Sequence, residues 1–125
     1  MSTVSVRYIV NDVDAAMPFY SQLGFQVDMH PAPGFAALSK GDLTLFLNQP
    51  GAGGAGQAMP DGAVPEPGGW NRIQFMVDNI EDFIKKLKKD NATFPSDLIT
   101  GVGGKQILLQ DPSGNLIEIF EPFQQ

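Results

Sequence analysis

The chain contains no cysteine, which excludes disulfide scaffolds, thiolate metal sites and cysteine nucleophiles and gives no sign of an oxidising compartment. Histidine and tryptophan each occur once, as His30 and Trp70. Basic residues are also scarce: 8 Lys and Arg stand against 14 Asp and Glu, for a net charge of −6 and a sequence pI of about 4.4. No basic stripe is available to release counterions from a phosphate backbone, so nucleic-acid binding is not expected. No segment approaches the roughly 20 apolar residues that a membrane helix needs, and the first residues lack the basic region and long apolar run of a secretory signal. The resulting expectation is cytoplasmic residence without membrane insertion.

What the chain does have is an internal repeat. Val6-Arg7-Tyr8-Ile9-Val10-Asn11-Asp12-Val13 returns 67 positions later as Ile73-Gln74-Phe75-Met76-Val77-Asp78-Asn79-Ile80. In both copies apolar residues at every second place (Val6, Tyr8, Val10; Ile73, Phe75, Val77) give way to a spacing of three and four (Val13, Ala16, Met17, Tyr20; Ile80, Phe83, Ile84, Leu87). Each copy therefore predicts a strand turning into a helix. Neither half is long enough to bury its apolar face alone. The expectation is one domain over residues 1–125, with a module at about 1–49, a linker at about 50–69 and a module at about 70–125.

Turn chemistry fills in the rest. Asp12 is placed to cap a helix running to Gln22, with Leu23-Gly24 as its stop and Pro18 bending it. Phe25 to Met29, Phe35 to Leu38 and Leu43 to Asn48 follow as short strands. In the second half Asp78 and Glu81 suggest a capping box. The lysines at positions 85, 86, 88 and 89 lie toward the C-terminal end of that helix, where cations are favoured, and form a solvated face. Strands near Asp97 to Thr100, Lys105 to Gln110 and Leu116 to Phe120 complete a second β-α-β-β-β unit. Between the halves, residues 50–69 hold 7 of the 14 glycines and 4 of the 10 prolines. Such a stretch is either a solvated connection or a lid. Its Gly-Ala-Gly-Gly-Ala-Gly run is not a phosphate cradle, because no helix and no Lys-Ser pair follows it.

Asp12, Phe19-Tyr20, Leu23-Gly24-Phe25, Gly41-Asp42 before an apolar strand, and Asp111-Pro112-Ser113-Gly114-Asn115-Leu116-Ile117-Glu118-Ile119 together resemble the vicinal oxygen chelate superfamily, the glyoxalase/bleomycin-resistance/dioxygenase group. The resemblance spans essentially the whole chain. It implies an α+β fold of two paired β-α-β-β-β modules, forming curled mixed sheets around a cavity, and a homodimer whose cavities form within one chain or between two. The implied activities are varied: lyases, isomerases, ring-cleaving dioxygenases, thiol transferases and proteins that only sequester a drug.

In the superfamily's enzymes a metal takes one ligand from the first and one from the last strand of each module. Carried onto this chain, the four positions are Ser5, Phe46, Arg72 and Glu118. Only Glu118 has the expected chemistry, and a register slip at Phe46 reaches Leu45 or Leu47, neither of which binds a cation. A lone carboxylate beside an arginine does not hold a divalent ion, so no metal and no other cofactor is expected, and Arg72 is expected to pair with Glu118. His30, beside Pro31 at a strand end, lies outside these positions and has no nucleophile or carboxylate arrangement around it in the sequence.

Strand parity extends the list, since residues two apart share a face. Ser5, Arg7, Ile9, Thr44, Phe46, Asn48, Arg72, Gln74, Met76, Leu116, Glu118 and Phe120 share the parity of the ligand positions, while Val4, Val6, Tyr8, Ile73, Phe75, Val77, Ile117 and Ile119 form an apolar opposite face. A face mixing arginines, a carboxylate, amides and aromatics suits small-molecule binding, or else a salt-bridge network with no ligand. Trp70 precedes the second module's first strand as a core, interface or ligand-stacking residue. Two functions follow. One is a metal-free binding protein for an aromatic or cationic small molecule, contacted by Ser5, Arg7, Thr44, Phe46, Asn48, Trp70, Arg72, Gln74, Met76, Glu118 and Phe120. The other is a glyoxalase- or dioxygenase-like enzyme with Glu118 as catalytic base or residual ligand.

Overall fold

The structure, a computed structural model, describes residues 3–52 and 54–123. The terminal pairs and Gly53, which belong to the expected modules and linker, lie outside the described residues. The element order is β1 (Val6–Ile9), α1 (Val13–Gln22), β2 (Gln26–Ala32), β3 (Phe35–Lys40), β4 (Leu43–Asn48), β5 (Arg72–Met76), α2 (Ile80–Lys89), β6 (Ile99–Thr100), β7 (Gly104–Gln110) and β8 (Leu116–Pro122). Contacts divide the chain into two compact units, Met1–Gly68 and Gly69–Gln125. Each is a β-α-β-β-β module with a mixed four-stranded sheet, ordered β1-β4-β3-β2 in the first and β5-β8-β7-β6 in the second.

The period-two alternation settles which face each sheet buries. In the first unit Leu45, Leu47, Ala36 and Leu38 are buried together with Val13, Ala16 and Tyr20 of α1. Tyr20 also meets Phe25 edge to face at 5.6 Å. In the second, Phe75, Ile107, Leu109, Ile117 and Ile119 are buried together with Ile80, Ile84 and Leu87 of α2. Each fully buried aliphatic side chain contributes on the order of 1.5–3 kcal/mol, so these two faces hold most of the stability.

The helices start in the same way in both units. Asp12 caps α1, accepting from the amides of Asp14 and Ala15. Asn79 caps α2, accepting from Asp82 N. The expected cap at Asp78 is thus displaced by one residue: Asn79 holds the extended backbone of the cap position, and its side chain reaches the third amide. The first helical amide is held from across the sheet in each case, by Gln49 Oε1 for Val13 at 2.9 Å and by Glu121 Oε1 for Ile80 at 2.8 Å. Lys105 on β7 donates to Glu81 in the first turn of α2 at 2.8 Å. That hydrogen bond holds the Glu81 carboxyl below its ordinary range, so its small contribution to stability is present above the unfolded pKa and is lost as pH falls through the folded one.

α1 runs from Val13 to Gln22 with Pro18 inside it, as the sequence reading has it. Two segments differ from that reading. β2 extends past Pro31 to Ala32, which places His30 within the strand and 3.9 Å from Asp14. A proline is tolerated there because β2 is an edge strand with register shifts on either side of Met29. The start of the expected linker is folded rather than loose. Ala52 N donates to Gln49 O, Gly56 N to Ala52 O and Gly51 N to Gly56 O, so Gln49, Gly51, Ala52 and Gly56 are held together in a compact backbone turn. Gly56 is buried in it, and a Cβ there would collide with the carbonyls of Gln49 and Ala52. Gly56→Ala is therefore expected to cost about 1–3 kcal/mol in urea unfolding, whereas Gly54→Ala, which meets nothing within 4 Å, should change stability little. Equal effects of the two substitutions would show that the turn is not close-packed.

Candidate functional site

The registers of the two sheets make the functional positions comparable. β1 pairs with β4 in parallel, Arg7 opposite Phe46 and Ile9 opposite Asn48. β5 pairs with β8 in parallel, Gln74 opposite Glu118 and Met76 opposite Phe120. Arg7 corresponds to Gln74 through the repeat, and Phe46 and Glu118 then occupy equivalent places, as the matched strand ends implied. Ser5 lies just before β1 and is exposed.

In the second unit three side chains converge on one carboxylate. Glu118 is 8% exposed. Its Oε1 accepts from Arg72 Nε at 3.0 Å and lies 3.0 Å from Arg72 Nη2. Its Oε2 accepts from Gln74 Nε2 at 2.6 Å. The remaining arm of Arg72 donates to the backbone carbonyl of Trp70 at 3.4 Å. The expected Arg72–Glu118 pair forms, and Gln74 is its unexpected third member. Both carboxylate oxygens are engaged by donors, so the one group at the four superfamily ligand positions with metal-binding chemistry is already committed. Ser5, Phe46, Arg72 and this Glu118 do not fit a divalent cation. Among the described residues, no three His, Cys, Asp or Glu side chains come together.

Trp70 is 79% and Met76 66% exposed. Phe120 is half-buried and Leu116 buried.

The first unit arranges its face differently. The Arg7 guanidinium lies over the Phe46 ring, 5.0 Å from its centroid, and Phe46 in turn meets Phe35 at 5.8 Å. Thr44 is half-buried opposite Ser39. A cavity of about 510 Å³ opens beside them, lined among others by Arg7, Ala32, Gly34, Phe35, Asn48 and Ala52. Small residues create the room: a Cβ on Gly34 would meet that of Ala52 at 2.5 Å. Asn48 is 3% exposed, and its Oδ1 has no hydrogen-bond partner among the described residues. Arg7, Phe46 and Asn48 were legible from parity. Ala32, Gly34 and Ala52 were not, although the Pro31-Ala32-Pro33-Gly34 turn was the available signal.

Two repeated β-α-β-β-β modules with a parallel first-to-last strand pairing define the class of fold. Residues 3–119 match the Glyoxalase/Bleomycin resistance protein/Dioxygenase superfamily, and the chain belongs to that superfamily. Its fold is shared by a hypothetical protein, SA1046, from S. aureus (16% identity, 97% and 94% of the two chains covered, TM-score 0.77). It is shared equally by a lactoylglutathione lyase from Agrobacterium tumefaciens (19%, 97% and 94%, TM-score 0.72). TnmS3, an antibiotic binding protein from Streptomyces sp. CB03234, is similar over 98% of both chains (21%, TM-score 0.71). No curated protein matches the chain.

Removing Arg72 leaves a nearly buried carboxylate with Gln74 alone, so Arg72→Met should destabilise by about 1–3 kcal/mol. Glu118→Gln should cost less, because the freed guanidinium is more solvent-accessible than the carboxylate. A double-mutant cycle should return a coupling of about 1 kcal/mol, and additivity within about 0.3 kcal/mol would show that the pair is idle.

Proposed function

We propose that the protein is a metal-free small-molecule-binding member of its superfamily that sequesters an antibiotic or a metabolite. The observation that carries this reading is the occupation of Glu118. Its two oxygens are held by Arg72 and Gln74, and with Ser5, Phe46 and Arg72 at the other positions no ligand set for a cation remains. A face that keeps aromatic, amide and guanidinium groups around a cavity, without a metal-binding set, suits holding a molecule better than transforming one. One structural relative is an antibiotic binding protein, which is in line with it. Another is a lactoylglutathione lyase, which belongs to the alternative in which Glu118 works as a base or residual ligand, and Ser5, Phe46 and Arg72 supply no second ligand for that role.

A thermal-shift screen tests the reading, since a ligand of the native state raises stability with the logarithm of its excess over Kd. Nickel, zinc, manganese and ferrous ions should leave Tm unchanged, and members of an antibiotic and aromatic-metabolite library should raise it. Stoichiometric metal lost on Glu118→Gln, with lactoylglutathione-forming or ring-cleaving activity that depends on it, would reject the proposal.

The same reading takes the two units as one cytoplasmic domain and the protein as a homodimer. Exposed Trp70 and Met76 are among the apolar groups that association would cover. Sedimentation velocity at micromolar concentration should show twice the 13.5 kDa chain mass, and a monomer there would remove the dimer from the proposal.

A further inference from the structure

The charge of the ligand follows from the first-unit cavity. Arg7 is the one charged residue among the described residues that line it, and no carboxylate among the described residues pairs with Arg7. Its guanidinium lies over the Phe46 ring, which supports the charge without neutralising it. The other walls named, Ala32, Gly34, Phe35 and Ala52, are small or aromatic, and low-polarity walls strengthen the field of a single charge. Asn48 adds a buried Oδ1 with no donor among the described residues. Such an atom is unfavourable while it stays unpaired, and the terminal torsion of asparagine is soft enough for the amide to turn toward an entering group.

We infer that this cavity takes an aromatic carboxylate or comparable planar aromatic anion carrying a hydroxyl or N–H. Its anionic group binds Arg7, its ring lies along Phe35, and its donor reaches Asn48. The inference rests on the small-molecule-binding reading and reverses the sign of charge that the acidic composition suggests. A volume of about 510 Å³ is in the lower half of the range for drug-sized sites, which fits two or three fused rings. The net charge of −6 does not prevent this. Charges farther away than the Debye length of about 8 Å are screened at physiological salt, whereas a guanidinium in contact with the anion is not.

Three probes with the same ring system test it: naphthoate, hydroxynaphthoate and naphthylmethylammonium, titrated into the full chain and followed by amide shifts at Gly34 and Ala52. Both acids should bind and the ammonium should not. Arg7→Gln should weaken the acids about ten-fold or more, with Arg7→Lys intermediate because it keeps the charge and loses the planar fork. Asn48→Leu should leave Tm unchanged or raised, since it removes an unpaired acceptor, yet reduce the advantage of hydroxynaphthoate over naphthoate. Preference for the ammonium, or acid binding indifferent to Arg7→Gln, overturns the inference while leaving a binding protein. Absence of binding by all three probes also overturns it, and the binding reading falls with it only if the wider library yields no ligand.

Discussion

Everything functional in this molecule depends on the parallel pairing of each module's first strand with its last. A parallel pair needs a crossover, and the helix begins it, so β1 and β4, or β5 and β8, lie side by side at one edge of their sheet. The register then decides which side chains share a face. A slip of one residue would turn Glu118 toward the core and bring Ile117 or Ile119 out. That slip is prevented by fully buried Leu45, Leu47, Ile117 and Ile119, and by Gln49, just after β4, and Glu121, near the end of β8, which hold the first amide of the helix in each unit.

Within that common frame the two modules have diverged at the positions where chemistry would be done. Equivalent places hold Phe46 and Glu118, Arg7 and Gln74, Asn48 and Phe120. The second unit puts its arginine beside a carboxylate and closes a hydrogen-bonded cluster. The first puts its arginine over a phenyl ring beside a cavity. One arginine is neutralised by the protein, and the other is presented by it.

The frame was legible in the sequence because it rests on periodicity, which local residues express directly. Val6-Tyr8 and Ile73-Phe75 announce strands, Ile80-Phe83-Ile84-Leu87 announces a helix, and parity alone brought Arg72 and Glu118 to one face. Most of the less legible features depend on contacts distant in sequence. Asn79 rather than Asp78 caps α2, the place that the repeat pairs with the capping Asp12, and the spacing of Asp78 and Glu81 masked it. Pro31 sits in a strand because β2 lies at a sheet edge. The glycines after Gln49 read as flexibility by composition, yet Gly56 is where two carbonyls leave no space for a side chain. The orphaned Oδ1 of Asn48 could be known only after every neighbouring donor had been placed.

The balance of charge on the two strand faces follows from these placements. A carboxylate at 8% exposure is costly to desolvate unless it is paired, and Arg72 with Gln74 meets that demand fully. The cluster therefore carries no net charge and has no idle hydrogen-bonding oxygen on Glu118. Arg7 faces no such demand. Its cost of desolvation is small because it stays exposed, and the Phe46 ring supports it without neutralising it. An acidic chain thus leaves a positive charge uncompensated on its functional strands, and the position of that charge against apolar walls and an unpaired amide oxygen gives the face its directionality.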